Sequence, residues 1–168
     1  LSKSKVFGNK PEIVTDVPMI NAALSTYIDG GLHPGLFTLA APSKHFKTAF
    51  ALMFAGEFLK KYDDGVILFY DSEFGSPESY YDSFGVDKER VIHTPITNIE
   101  DLKFDITIQL QNIDKKDHVF ILIDSVGNLA SKKEVEDAID QKSVADMTRA
   151  KQFKSLYRII TPHLNLKD

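Results

Sequence analysis

Residues 41–48 read APSKHFKT and place a lysine and a hydroxyl side by side at the end of a short loop. In the phosphate-binding loop G-x-x-x-x-G-K-[ST], backbone N–H groups cradle the phosphates, the lysine reaches the β- and γ-phosphates, and the hydroxyl ligates Mg²⁺. Lys47 and Thr48 stand at those two positions, whereas Ala41 and Phe46 replace the two glycines. The residues between them are Pro42, Ser43, Lys44 and His45. The spacing predicts a site for ATP and Mg²⁺.

The missing glycines bear directly on this prediction. Glycine is needed where φ is positive or where a Cβ would crowd the ligand. We expect Phe46 to begin the helix with an ordinary φ of about −60°, its ring turned away from the phosphates. Ala41 adds one methyl group to the loop. A strand-to-helix turn that contains Lys-Thr by chance is the alternative.

Two acids at the ends of other apolar runs could complete the site. Asp124 follows the run VFILI and resembles a Walker-B acid, which orients Mg²⁺. Glu73, in FYDSEFG, could be the general base that polarises an attacking water. Each acid alone could instead cap a turn or lie in solvent. The loop and both acids fall on one predicted edge of a sheet, and this agreement favours a nucleotide site.

Alternating strand and helix patterns position these groups. The strands are predicted over residues 35–41, 65–73, 91–96 and 118–124, and the helices over 47–62, 76–85, 98–113 and about 143–163. This alternation predicts an α/β fold, with a mostly parallel sheet flanked by helices. In such sheets ligands bind outside the carboxyl ends of the strands.

Capping residues and the spacing of apolar residues give further predictions for three of these helices. Ser76 is predicted to cap the second helix and Gly85 to follow its end, while Asn98 caps the third. The third helix is predicted to bury Ile99, Leu102, Ile106, Leu110 and Ile113. The last helix is predicted to bury Val144, Met147, Ala150, Phe153, Tyr157 and Ile160.

Composition excludes several classes of protein. The 168 residues, 43% apolar and 26% charged, suit one globular domain. The formal net charge is −4, so any surface that binds nucleic acid must be local. The absence of cysteine excludes disulfides and thiolate metal sites and fits a reducing cytosol. No apolar run approaches the roughly 18 to 20 residues that cross a bilayer, so no membrane partner is expected.

Five stretches together resemble the RecA family of recombinases, and within it a branch found in phages. These stretches are residues 18–48, 69–75, 86–95, 121–138 and 146–162. The resemblance runs from about Val14 to the end and is most specific in DSEFG and DSVGNLASKKE. That phage branch also has a phenylalanine before the loop lysine, which identifies the loop as a working variant. Ala41 differs from the residue that the branch has at this position of the loop.

The resemblance implies ATP-dependent assembly on single-stranded DNA, homologous pairing and strand exchange, in the cytosol of an infected bacterium. It puts Lys47 on the phosphates and Thr48 on Mg²⁺, with Glu73 as the water-activating base and Asp124 as the Walker-B acid. Tyr80 falls where the family stacks an aromatic ring on adenine. A partly buried helix tyrosine is the equal alternative for Tyr80.

The resemblance also places a first DNA-binding loop and its flanking helix after Asn128. Between residues 142 and 158 five basic side chains accompany a single acid, which suits contact with a phosphate backbone. Arg149, Lys151 and Lys154 are the expected contacts. A solvated helix face is the alternative.

By the same resemblance, residues 1–30 form a lead-in segment and residues 31–168 a partial, incomplete ATPase core. The strand that senses the γ-phosphate and the second DNA-binding loop are expected to be missing, and that strand is central in the family. We therefore expect self-association or a shifted strand order, and weak hydrolysis or none. Competing interpretations are a nucleotide-gated DNA-binding module without turnover, a helicase motor and a small-molecule kinase.

Overall fold

A computed structural model describes residues 12–75, 77–140 and 147–166. Three strands form one all-parallel sheet in the order β2-β1-β3: β1 Val66–Asp71, β2 Val91–Pro95 and β3 Val119–Asp124. The helices are α1 Pro18–Ser25, α2 Lys47–Lys61, α3 Glu78–Ser83, α4 Ile99–Asn112, α5 Lys132–Ile139 and α6 Thr148–Leu166. The predicted α/β architecture is confirmed, and it is compatible with a fragment of a RecA-like core. Of the described helices, none combines the length and apolarity that a membrane span needs.

Side-chain alternation along the central strand separates two apolar layers. Ile67 and Phe69 of β1 pack with α2 on one face, and Leu68 and Tyr70 pack with α4 and α6 on the other. β1 and β3 run in register, so that Asp71 lies opposite Asp124 at their carboxyl ends. Two-residue alternation puts Asp71 on the face of Phe69, toward α2. The fold therefore brings two strand-ending acids beside the helix that follows the predicted phosphate loop.

α4 follows its predicted pattern closely. Ile99, Leu102, Ile106 and Leu110 are all buried, at spacings of three and four residues. The Asn98 side chain accepts a hydrogen bond from the backbone N–H of Asp101, as an N-cap should. The prediction is confirmed for these four residues and for the cap, whereas Ile113 follows the end of α4 and is only half-buried.

The strand predicted over residues 35–41 is wrong. Residues 35–38 are exposed and join no strand, and Phe37 instead rests edge-on against Phe54 of α2, with ring centroids 5.9 Å apart. Within the described residues, β3 pairs with β1 alone. An apolar run becomes a strand only where a neighbour supplies a hydrogen-bonding ladder, and residues 35–41 have none in the sheet.

The predicted buried face of the last helix needs correction. Met147 is 66% exposed and Ala150 is exposed, whereas Leu156 and Ile160 are fully buried against α4. Phe153 and Tyr157 are only half-buried. Val144 and the predicted cap Ser76 lie outside the described residues. α3 begins at Glu78 after the N-cap residue Pro77, and Gly85 follows it with φ of 66°, as predicted.

Candidate nucleotide site at the carboxyl edge of the sheet

The N-terminus of α2 presents backbone donors to the loop. α2 starts at Lys47, and its N-cap residue, Phe46, makes no side-chain capping bond; no acid occupies the first turn. The first N–H groups of a helix have no partner within the helix, and the helix dipole adds partial positive charge there. Such a helix end is suited to bind phosphate.

Thr48 and Asp124 join α2 to β3. The Thr48 hydroxyl donates to the Asp124 carboxylate, with 2.5 Å between Oγ1 and Oδ2, and Asp124 is only 8% exposed. Burial raises the pKa of Asp124, and the charges of Glu73 and Asp71 raise it further, against the Thr48 bond and the Lys47 charge. A hard cation bound here would relieve this crowding of negative charge, and hydroxyl and carboxylate oxygens are suitable ligands for Mg²⁺.

Lys47 folds back over the loop that precedes it. Its ammonium donates to the carbonyl oxygens of Ala41 and Pro42, at 3.3 and 3.1 Å. The charge is close enough to Asp124 to lower the pKa of that carboxyl in opposition to burial. The lysine therefore lies in the loop, at the same edge of the sheet as Thr48 and Asp124.

Glu73 reaches this edge through the turn that follows β1. Its Oε1 accepts a hydrogen bond of 2.9 Å from the hydroxyl of Ser125, the residue after Asp124. The Ser72 hydroxyl donates to the Ser125 carbonyl and accepts from the Ser125 N–H. These bonds tie the two turns together. Lys47, Thr48, Glu73 and Asp124 thus converge, as the sequence predicted.

Tyr80 and Tyr81 have different surroundings. Tyr80 is 38% exposed and contacts the ring of Phe84, 6.0 Å away. Burial, with the charges of Asp71 and Asp124, raises the pKa of Tyr81 to about 12. Tyr81 is therefore the tyrosine that faces the acids, with its hydroxyl protonated at neutral pH. Tyr81 was not among the residues predicted for the site, and stacking of Tyr80 on adenine stays a prediction.

The backbone of the loop differs from the expected one. Phe46 has φ of 57° and Lys44 has φ of 64°, so both adopt the left-handed conformation. The expected φ of Phe46 was wrong, because the chain reverses at this position before α2, as it does where the usual loop has glycine. Phe46 is 70% exposed, and an orientation of its ring away from the phosphates stays a prediction. Ala41 has no positive φ and needs no glycine on that account.

Replacing Phe46 by glycine should stabilise the protein. A left-handed non-glycine residue costs roughly 1 to 2 kcal/mol, and the entropy that glycine gains in the unfolded chain offsets part of this relief. We expect the free energy of unfolding in urea to rise by up to about 1 kcal/mol. Phe50→Gly is the matched control, because Phe50 is an exposed phenylalanine inside α2, and it should lower stability by about 1 kcal/mol. Equal losses of unfolding free energy in both variants would show that the left-handed backbone at Phe46 is not strained.

Of the three predicted DNA contacts, Arg149 is tied to the protein itself. Its guanidinium donates to the carbonyl oxygens of Leu129, Val126 and Gly127, and it lies over the ring of Phe153 at 5.6 Å. These bonds hold the segment that follows Asp124 against α6. Lys151 and Lys154 are exposed on the same helix.

Arg149→Ala should therefore act on stability. Removing a charged donor from three carbonyls should lower the free energy of unfolding by about 2 kcal/mol, measured by chemical denaturation. Lys151→Ala, at an exposed position two residues on, should change it by less than about 0.5 kcal/mol. An Arg149→Ala variant that is as stable as the parent and only loses DNA affinity would refute the structural role.

The sequence is similar to that of a known phage protein. The chain is 51% identical, over all 168 residues, to a protein named "Recombination and repair protein" of Enterobacteria phage T4. It spans 43% of the length of that relative. No family model matches the chain. The chain is thus similar, along its whole length, to part of a protein with that name.

Proposed function

We propose that the chain is the nucleotide-binding part of a RecA-family recombinase similar to the UvsX protein of T-even-like phages. One observation carries the proposal: the Thr48–Asp124 hydrogen bond joins the loop to the strand-ending acid, and Ser125 brings Glu73 to the same place. The name of the T4 relative supports recombination and repair as the setting.

The roles follow from where each group lies. The loop amides and the Lys47 ammonium would hold the phosphates of ATP, since both are donors at the start of α2. Thr48 and Asp124 would hold Mg²⁺, which supplies positive charge against the β- and γ-phosphates. Glu73, exposed and held by Ser125, would accept a proton from the water that attacks the γ-phosphate.

DNA binding and assembly belong to the same proposal. Lys151 and Lys154 are exposed on α6 and carry charges that suit a single-stranded DNA backbone. Self-association, the division at residues 30 and 31, and a cytosolic setting are carried over from the family resemblance. Because the chain spans 43% of its T4 relative, strand exchange and turnover are proposed for the whole protein.

Titration with a fluorescent ATP analogue tests the proposal. We expect saturable binding that requires Mg²⁺, because Asp124 needs the cation before it can lie near phosphate. Adding single-stranded DNA should tighten analogue binding, and analogue should tighten DNA binding by the same factor. Binding of the analogue that depends on neither Mg²⁺ nor DNA would contradict the proposal. Duplex unwinding would favour a helicase motor, and phosphate transfer to a small molecule would favour a kinase.

A further inference from the structure

We propose that Asp71 and His93 form a positioning pair that holds the turn carrying Glu73. The inference deepens the proposed function and rests on it for the role of Glu73. Neither residue contacts Thr48 or Lys47 among the hydrogen bonds of the described residues. They act instead on the backbone that presents Glu73.

The side chain of Asp71 holds the turn at Glu73 and Phe74 by hydrogen bonds. The residue is 3% exposed, and its Oδ1 accepts hydrogen bonds from the backbone N–H groups of Glu73, at 2.9 Å, and Phe74, at 2.8 Å. Phe74 has φ of 53°, a conformation that a phenylalanine rarely adopts without support. One buried oxygen therefore determines the path of the chain at and after Glu73.

His93 engages the other oxygen from the neighbouring strand. In the β1–β2 ladder His93 pairs with Phe69, two residues before Asp71, so the histidine and Asp71 lie on one face of the sheet. The His93 ring contacts the Phe69 ring at 5.3 Å, and its Nε2 lies 3.1 Å from Asp71 Oδ2. A carboxylate oxygen only accepts, so Nε2 carries the hydrogen.

The pair stabilises a buried negative charge at this edge of the sheet. Asp71 is buried close to the carboxyls of Asp124 and Glu73, and a buried carboxylate requires donors on both of its oxygens. Without His93, Oδ2 loses the donor that sets the orientation of the carboxylate, and the bonds of Oδ1 to the turn weaken with it. The position of Glu73 would then depend more on the Ser125 hydroxyl and on the Ser72–Ser125 bonds that tie the two turns together. Small displacements of a catalytic group can cost about a hundredfold in rate.

Two substitutions of His93 separate the donor from the bulk of the ring. Glutamine places an N–H near the position of Nε2, whereas leucine has similar size and no donor. Because His93 is on an edge strand and its side chain is 45% exposed, both variants should fold. If His93→Leu does not fold, His93→Ala replaces it with the same expectation.

Hydrogen exchange of the Glu73 and Phe74 amides, measured by NMR, is the direct readout. We expect exchange at both amides to quicken about tenfold in His93→Leu and to stay within about threefold of the parent in His93→Gln. Unchanged exchange in His93→Leu, or equal acceleration in both variants, would overturn the positioning pair whatever the turnover.

Single-turnover hydrolysis, measured on the whole protein, adds the functional readout. We expect the rate to fall about tenfold in His93→Leu with the affinity for the ATP analogue unchanged, and the glutamine variant to recover it. If exchange at the two amides is faster in His93→Leu but the parent neither binds nor hydrolyses ATP, the proposed function is refuted and the positioning pair is still supported. If exchange is faster in His93→Leu but its hydrolysis rate equals that of the parent, Glu73 needs no such support and the inference is overturned.

Discussion

Replacing Glu73 by glutamine should lower nucleotide turnover by at least about a hundredfold, while affinity for an ATP analogue stays within about threefold. The reason is chemical: glutamine keeps the size of the side chain and can still bond to Ser125, but it cannot take a proton from water. Because turnover is proposed for the whole protein, the measurement is a single-turnover assay with the whole protein in excess over nucleotide, with and without single-stranded DNA.

Glu78→Gln is the matched control for this experiment. Glu78 is an exposed glutamate on α3 that pairs with Lys88, so the same chemical change there should leave turnover unaffected. Parent-like turnover in Glu73→Gln would remove Glu73 from the mechanism. Negligible turnover in the parent, with nucleotide-dependent DNA binding intact in both proteins, would favour a nucleotide-gated binding module over a hydrolase.

Replacing Lys47 by alanine should lower nucleotide affinity by about ten- to a hundredfold. A charge-assisted hydrogen bond contributes roughly 1.5 to 3 kcal/mol, and each 1.4 kcal/mol is a factor of ten in affinity. Stability should change by less than about 0.5 kcal/mol, because the hydrogen bonds of the ammonium within the described part of the chain are to two loop carbonyls near the surface. Titration with the fluorescent analogue and denaturation in urea measure the two effects.

Lys60→Ala controls for loss of a positive charge from the same helix. Lys60 lies near the far end of α2, where it pairs with Glu57 and Asp16. We expect its removal to leave nucleotide affinity within about twofold of the parent, since exposed charges separated by more than a Debye length of about 8 Å are largely screened. Equal affinity losses in the two variants would mean that Lys47 acts through net charge and not as a phosphate ligand.

Much of the fold was predictable because local signals and tertiary packing agree. The spacing of Ile99, Leu102, Ile106 and Leu110 defines a buried helix face that the structure confirms. The strand over residues 35–41 was not predictable in this way, since its apolar pattern says nothing about whether a neighbouring strand is present. For α6, hydrophobicity alone favoured Met147, whereas packing against α4 selects Leu156.

The approach of Glu73 to Asp124 could be predicted because parallel strands end at a common edge, whereas Lys47 and Thr48 reach that edge from the start of α2 with no strand before them. The left-handed backbone at Phe46 could not, since its side chain gives no sign of such a conformation. Asp71 carried a usable signal: an aspartate that ends a strand often accepts hydrogen bonds from the N–H groups of the following turn. His93 had none, because its contact depends on the register between β1 and β2.

The Arg149 bonds have a mechanical consequence. One guanidinium links α6 to the carbonyls of residues 126, 127 and 129, which are covalently continuous with Asp124. A force applied to the outer side of α6, where Lys151 and Lys154 lie exposed, would therefore be transmitted to the segment that follows Asp124, the acid proposed to hold the cation.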